Sequence, residues 1–232
     1  MTNNLILSGG ISHPFVESSA ALATLLDAEG VSSVIYDDID AGLTELRVGN
    51  YQMLTVNALR WCMHGDKYDP DRAQWAYSIS ETGKVAIEQH VRNGGALLGV
   101  HTASICFDDW PQWREILGGS WQWGTSWHPP LGPVKACICD AGDILCKAED
   151  FEVEDEIYTD LHLQPGVEVM MKSKGSAEYP SQALMWRHRY GRGRSVYDSL
   201  GHDAGSITQA DHGQMIQSAT RWLLANDDTE AK

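Results

Sequence analysis

The chain has 232 residues, 43% of them hydrophobic and 21% charged, with a formal net charge of −15. That length fits one large domain, taken as residues 1–232, with room for a sizeable core. The acidic balance argues against nucleic acid or an anionic membrane surface as a partner, since both require a basic footprint. No apolar stretch approaches a membrane span, and MTNNLILSGG lacks the positive start and long apolar run of a secretion signal. The five cysteines, Cys62, Cys106, Cys137, Cys139 and Cys146, form no disulfide framework, so reduced thiols in a cytoplasmic protein are expected. Cys137 and Cys139 read as small core residues.

The elements follow in order. NLILSGG is a short apolar run closed by glycines, a first strand. PFVESSAALATLLDAEG reads as a helix with Pro14 at its first position and Gly30 as its stop. VSSVIYDD and YQMLTVNAL are further strands, and a polar loop with a turn at Tyr68–Asp71 follows. SISETGKVAIEQHVRNGG carries a capping-box pattern from Ser78 to Glu81 and again ends in glycine. GGALLGVHTAS then runs a buried strand into a sharp turn at His101. This alternation predicts an α/β fold with a mostly parallel sheet and helices on both faces.

Beyond about Trp121 the pattern changes. VKACICD, DEIYTDLHL, VEVMMKSK and ALMWRHRY are strand-like without helices between them, predicting a β-rich addition. YGRGR marks a turn between residues 185–190 and 195–200, with the basic segment 187–194 at a solvated hairpin tip. Residues 209–227 close the chain as an amphipathic helix, with Met215, Ile216, Ala219, Trp222 and Leu223 on one side. The last residues, 227–232, are expected to fray.

Ligands of open α/β sheets bind outside the carboxyl ends of the strands. His13, His101 and His202 all fall just beyond proposed parallel strands, which predicts a shared mouth. His128, in TSWHPP, lies between the two halves. Five tryptophans, Trp110, Trp113, Trp121, Trp123 and Trp127, crowd a Gly- and Pro-containing segment. A flat indole there could cover the face of a sugar ring, and Trp127 is favoured by its neighbour His128. The remaining histidines, including His212, read as surface or packing residues.

GGALLGVHTAS, WHPP, DEIYTDLHLQPGVEV and YGRGRSVYDSLGHD, followed by the RWLL helix, together resemble the ThuA-like (trehalose-utilisation) family. The resemblance spans nearly the whole chain. It implies the flavodoxin-like fold of the class I glutamine amidotransferases and a link to sugar metabolism. Those amidotransferases need a cysteine on the strand-turn-helix elbow. Here the elbow is Gly99-Val100-His101-Thr102-Ala103, with Cys106 too far along to occupy the turn, so glutamine hydrolysis is rejected.

A histidine at that position can serve as a general acid/base or as a metal ligand. Glu156 is its natural acidic companion. A strand through DEIYTD would put Glu156 and Tyr158 on one face and Asp155 on the other, while Asp203 either orients His202 or caps a loop. The expected catalytic groups are His101, His202 and Glu156. His13, His128, Trp127, Tyr158 and Asp203 are expected at the substrate. His13, His101, His128, Glu156 and His202 also have the ligand types of a divalent metal site, although no close ligand spacing marks one. Three readings stay open: a sugar-modifying enzyme using acid/base chemistry, a sugar-binding or regulatory protein without catalysis, and a metal-dependent sugar hydrolase or isomerase. The expected partner is a small sugar, and a homo-oligomer is left open. His101 is expected to face solvent, so that its loss would spare the fold.

Overall fold

The structure, a computed structural model, describes residues 2–142 and 149–225. Cys146 and the terminal residues 227–232 lie outside the described residues. A nine-stranded sheet runs β2-β1-β3-β4-β11-β10-β9-β6-β7. The strands are β1 (Thr2–Gly9), β2 (Val31–Tyr36), β3 (Met53–Ala58), β4 (Ala96–Val100), β6 (Gly132–Ile138), β7 (Phe151–Asp155), β9 (Glu168–Ser173), β10 (Ala183–Tyr190) and β11 (Gly193–Asp198). A short pair, β5 (Gly119–Ser120) with β8 (His162–Leu163), stands apart. From β2 to β11 every pairing is parallel, and from β11 to β7 every pairing is antiparallel. The parallel half carries the α/β fold and the antiparallel half is the β-rich addition. The expected hairpin is present, with Met185 opposite Asp198.

Strand alternation builds two cores, one on each face. Ile6, Leu98 and Val196 join Leu22 and Leu26 of α1 (Phe15–Asp27) and Met215, Ile216 and Leu223 of α7 (Ala210–Leu224). Leu5, Leu7, Leu54, Leu97 and Tyr197 face the other way. They meet Ile39 and Leu43 of α2 (Ile39–Val48), Ile87 of α4 (Glu81–Arg92) and Trp113 of α5 (Gln112–Leu117). Strands β3, β4 and β11 are buried throughout, as parallel strands covered on both faces must be. Gly193 lets β11 enter this layer: a Cβ there would stand 2.0 Å from the Val91 carbonyl oxygen.

Several local expectations need correction. Residues 39–48 form α2, capped by the Asp38 side chain accepting from Ala41 N–H. The turn at Asp69–Asp71 opens a helix, α3 (Asp69–Trp75), because Pro70 suits a first helical turn. The cap of α4 is Ser80, accepting from Gly83 N–H, and not Ser78. Pro14 precedes α1 as its cap residue. The strand expected across 155–163 ends at Asp155 and resumes only at His162. Arg194 is no solvated tip: it is buried, donates to the Trp222 and Ala225 carbonyls, and lies against the Trp222 ring. Among the described residues, no helix is long and apolar enough to cross a membrane.

Candidate functional site

The carboxyl ends of β1, β4, β11 and β7 deliver four side chains to one point. His13 comes from the loop after β1. That loop leaves the strand through Gly10, whose φ of +145° and close approach to the Leu59 backbone exclude a side chain. His101 is the first residue after β4 and opens a single turn of 3-10 helix over His101–Ser104. Its φ of 49° puts a non-glycine residue in the left-handed region. Such a conformation persists only when surrounding contacts hold it, and it concentrates at functional sites. His202 follows β11 by a short loop. Glu156 follows β7, the last strand of the sheet order, so the antiparallel half must curl back over the strand ends to bring it here.

Asp155 makes that fold-back. Its carboxylate accepts the N–H groups of Glu156, Gly201 and His202 and the hydroxyl of Ser206. Asp155 is therefore a buried acceptor at the joint between β7 and the 201–206 loop.

The distances are short. His13 Nε2 and His101 Nε2 are 3.1 Å apart. Glu156 Oε2 is 3.4 Å from His101 Nε2 and 3.9 Å from His13 Nε2. Glu156 Oε1 is 3.6 Å from Nδ1 of both His202 and His128. The His101 and His202 rings lie 5.5 Å apart, centre to centre, so one substrate could reach both. His101 is buried, contrary to the solvent-facing expectation, whereas 40% of the His128 side chain is exposed. The cluster thus has a buried floor and an accessible rim.

Electrostatics follow from this crowding. Burial alone would raise the Glu156 carboxyl, but the imidazoles of His101 and His13 outweigh it and hold the acid well below the usual range. Burial pushes the His101 imidazole down, yet Glu156 and Asp155 leave it raised overall. His202 is lowered by burial, with the neighbouring His101 adding to the effect.

Tyr158 belongs to this centre. Its buried hydroxyl lies 3.2 Å from His101 Nε2, and burial pushes that phenol far up. Asp203 instead caps α6 (Ala204–Thr208), accepting from Ser206 N–H. Trp110 and Trp113 are core residues, and Trp113 Nε1–H donates to the Ala103 carbonyl. The Trp127 ring packs edge-on against Tyr179. The indole beside the cluster is Trp121, 6.2 Å from the His128 ring and 5.2 Å from the Tyr158 ring. Trp121 and half-exposed Trp123 wall a cleft of about 230 Å³ that also touches Ser104 and Asp108.

No nucleophile of the amidotransferase kind is available at the elbow. Cys106 is buried beneath the turn, donates its thiol to the Ala58 carbonyl, and is pushed up to about 12 by burial. Thr102 donates to the same carbonyl, and Ser104 accepts from Tyr197.

Comparison with known proteins agrees with this architecture. A thua-like protein from Parabacteroides merdae has 16% identity and a TM-score of 0.71, with 96% of this chain and 89% of that one covered. A thua-like protein from Bacteroides uniformis has 17% identity and a TM-score of 0.67, over 98% and 93% of the two chains. Agd3, described as a novel carbohydrate deacetylase, shares the fold at 11% identity and a TM-score of 0.63, over 96% of this chain and 32% of that one. No curated protein matches the sequence. The family described as ThuA, trehalose utilisation, matches residues 3–223. With its elbow, its histidine-lined strand ends and a match of that extent, the chain belongs to the ThuA trehalose-utilisation family.

Proposed function

We propose that the protein is an enzyme of carbohydrate metabolism that acts on a sugar or an oxidised, keto form of one at the His13–His101–Glu156–His202 centre. The observation that carries this reading is the convergence of three imidazoles and one carboxylate, from four separate strand ends, on a point with an accessible rim. A sugar-binding protein would need hydrogen bonds and aromatic walls, but not ionisable groups packed this tightly against one another. Perturbed titratable groups in a cleft are the usual mark of chemistry.

The chemistry that suits the set is proton transfer beside a carbonyl. A base removes the C–H proton next to the carbonyl, the electron pair moves to the carbonyl oxygen, and an acid protonates that oxygen. Isomerisation, epimerisation and elimination all begin in this way, and none needs the missing nucleophile. His101, His202 and Glu156 are the groups placed for it, with His128 at the rim. Trp121 lies 6.2 Å from the His128 ring, so a ring held against that indole would present its edge to the cluster.

The test is incubation of the purified chain with a panel of sugars and 3-keto sugars, with products analysed by mass spectrometry and NMR. The expected result is conversion of at least one keto sugar by wild type and none by Glu156→Gln. Binding of a sugar without turnover of any panel member would favour the non-catalytic reading.

A further inference from the structure

Two histidine tautomers are set by the backbone. His101 Nδ1 lies 2.7 Å from the Ser199 carbonyl oxygen. A carbonyl can only accept, so Nδ1 carries the hydrogen, and in the neutral ring Nε2 is left with a lone pair, beside which the Tyr158 hydroxyl lies at 3.2 Å. His13 repeats the pattern more loosely, with Nδ1 3.4 Å from the Ile11 carbonyl. With both rings neutral, the two Nε2 lone pairs meet across 3.1 Å. That arrangement is repulsive unless a proton or a metal ion lies between them.

The other two members have the same need. Glu156 Oε2 and His202 Nδ1 are buried atoms with no hydrogen-bond partner. Groups of that kind are costly when left alone. One donor atom from each of His13, His101, Glu156 and His202 can be chosen so that all lie within 4.8 Å of one another. A tetrahedral ion with bonds of about 2.0–2.1 Å would set its donors about 3.4 Å apart. The separations of 3.1, 3.4 and 3.9 Å bracket that value.

We infer that these four residues form a binding site for one divalent first-row transition ion, such as zinc or manganese. Three neutral imidazoles and one carboxylate suit such ions, whereas calcium and magnesium prefer all-oxygen shells. The Nδ1–H donation to backbone carbonyls is how metal-binding histidines are commonly held in register. The inference rests on reading this cluster as the chemical centre, but not on the identity of any sugar. The ion would polarise a substrate oxygen. His13, His101, Glu156 and His202 would then all be ligands, and the proton-moving role proposed above for His101, His202 and Glu156 would pass to His128 at the rim. A second group, Cys62 with Asp108 and Asp109, lacks this orphaned, pre-oriented character, since Asp108 already accepts from the Cys62 and Trp123 N–H groups and Asp109 from Ser78.

The experiment uses the full chain, stripped with chelator and dialysed, then titrated calorimetrically with zinc chloride and, separately, manganese chloride. Bound metal is counted by elemental analysis. The expected result is one ion per chain for at least one of the two metals. His13→Gln and Glu156→Gln should each weaken binding by more than the roughly 10–100-fold that losing a mere supporting partner costs. Cys62→Ser should bind as wild type does. Thermal melting of each variant separates lost ligation from lost folding. No stoichiometric binding by wild type, or unchanged binding in both Gln variants, overturns the inference. Stoichiometric binding with no sugar converted supports it while removing the proposed function. No stoichiometric binding alongside full turnover does the reverse.

Discussion

His101 combines two roles that are usually separable. It is buried, its backbone sits at φ 49°, and its ring is fixed to the Ser199 carbonyl. Truncation would leave that carbonyl without its donor, which costs about 1–3 kcal/mol. His101→Ala is therefore expected to lower the melting temperature by several degrees as well as to abolish turnover, since a chain of this size loses about 2–4 °C per kcal/mol. A melt within 1 °C or so of wild type, on that same scale, would contradict the buried placement. His212 offers a separate test in pH. Its Nδ1 donates to the Ser206 carbonyl and its Nε2 to the Asp198 carboxylate, so the ring is held as an imidazolium. Burial lowers its pKa, but Asp198 more than compensates, and the folded value lies above the ordinary 6.5. The stabilisation is thus fully present below the unfolded pKa and is lost as pH rises through the folded one. The melting-temperature gap between wild type and His212→Gln should be widest at low pH and narrow on the alkaline side. A gap that widens with rising pH would refute the imidazolium assignment.

Asp155 shows how one residue at an element's end can govern a site it does not enter. It joins β7 to the loop that carries His202, through acceptors for Gly201 N–H, His202 N–H and Ser206 Oγ–H. Asp155→Asn replaces an acceptor oxygen with a donor facing donors. It should cost roughly 3–5 kcal/mol and weaken metal binding without changing any ligand, whereas unchanged stability would show that the loop holds itself. At the surface, Ser80→Ala should cost only about 1 kcal/mol, the usual worth of a helix cap, by chemical denaturation. Elements also show where the sequence was readable. Helices α1, α4 and α7 were legible from apolar spacing and glycine stops, and the strand ends placed His13, His101 and His202 together by topology alone. Helix α2 carries comparable signals, Asp38 as cap and Ile39, Leu43 and Leu46 on one face. The strands read on either side, 31–38 and 51–59, left residues 39–50 without an assigned element. Glu156, Tyr158 and Trp121 could be named as candidates, but their mutual placement could not. It depends on β7, last in the sheet order, folding back through Asp155, which is a contact between residues 46 apart or more. Local pattern carries no information about such a contact.

On the scale of the whole molecule, the sheet is two half-sheets sharing one strand. The parallel half supplies His13, His101 and His202, and the antiparallel half supplies Glu156 and Tyr158, so the centre exists only when both halves are assembled. Activity and metal binding should accordingly vanish together with cooperative unfolding in denaturant, with no state that retains either after the sheet has opened. That coincidence can be read by following metal release and circular dichroism in one titration. Partial unfolding that released the ion while the parallel half stayed intact would show that the halves melt separately.

The shared strand has a consequence for how the chain is made. Among the described residues β11 is the last strand in sequence, yet it lies between β4 and β10. Until residues 193–198 leave the ribosome, β4 and β10 each present an unpaired edge, and β4 is apolar along its whole length. Open apolar edges are templates for pairing with other chains. A growing polypeptide of this protein therefore spends most of its synthesis with its sheet unclosed, and a premature stop just before Gly193 should give an aggregating product. Recovery of that truncated chain as a stable soluble monomer would mean that the two edges find some other cover while they wait.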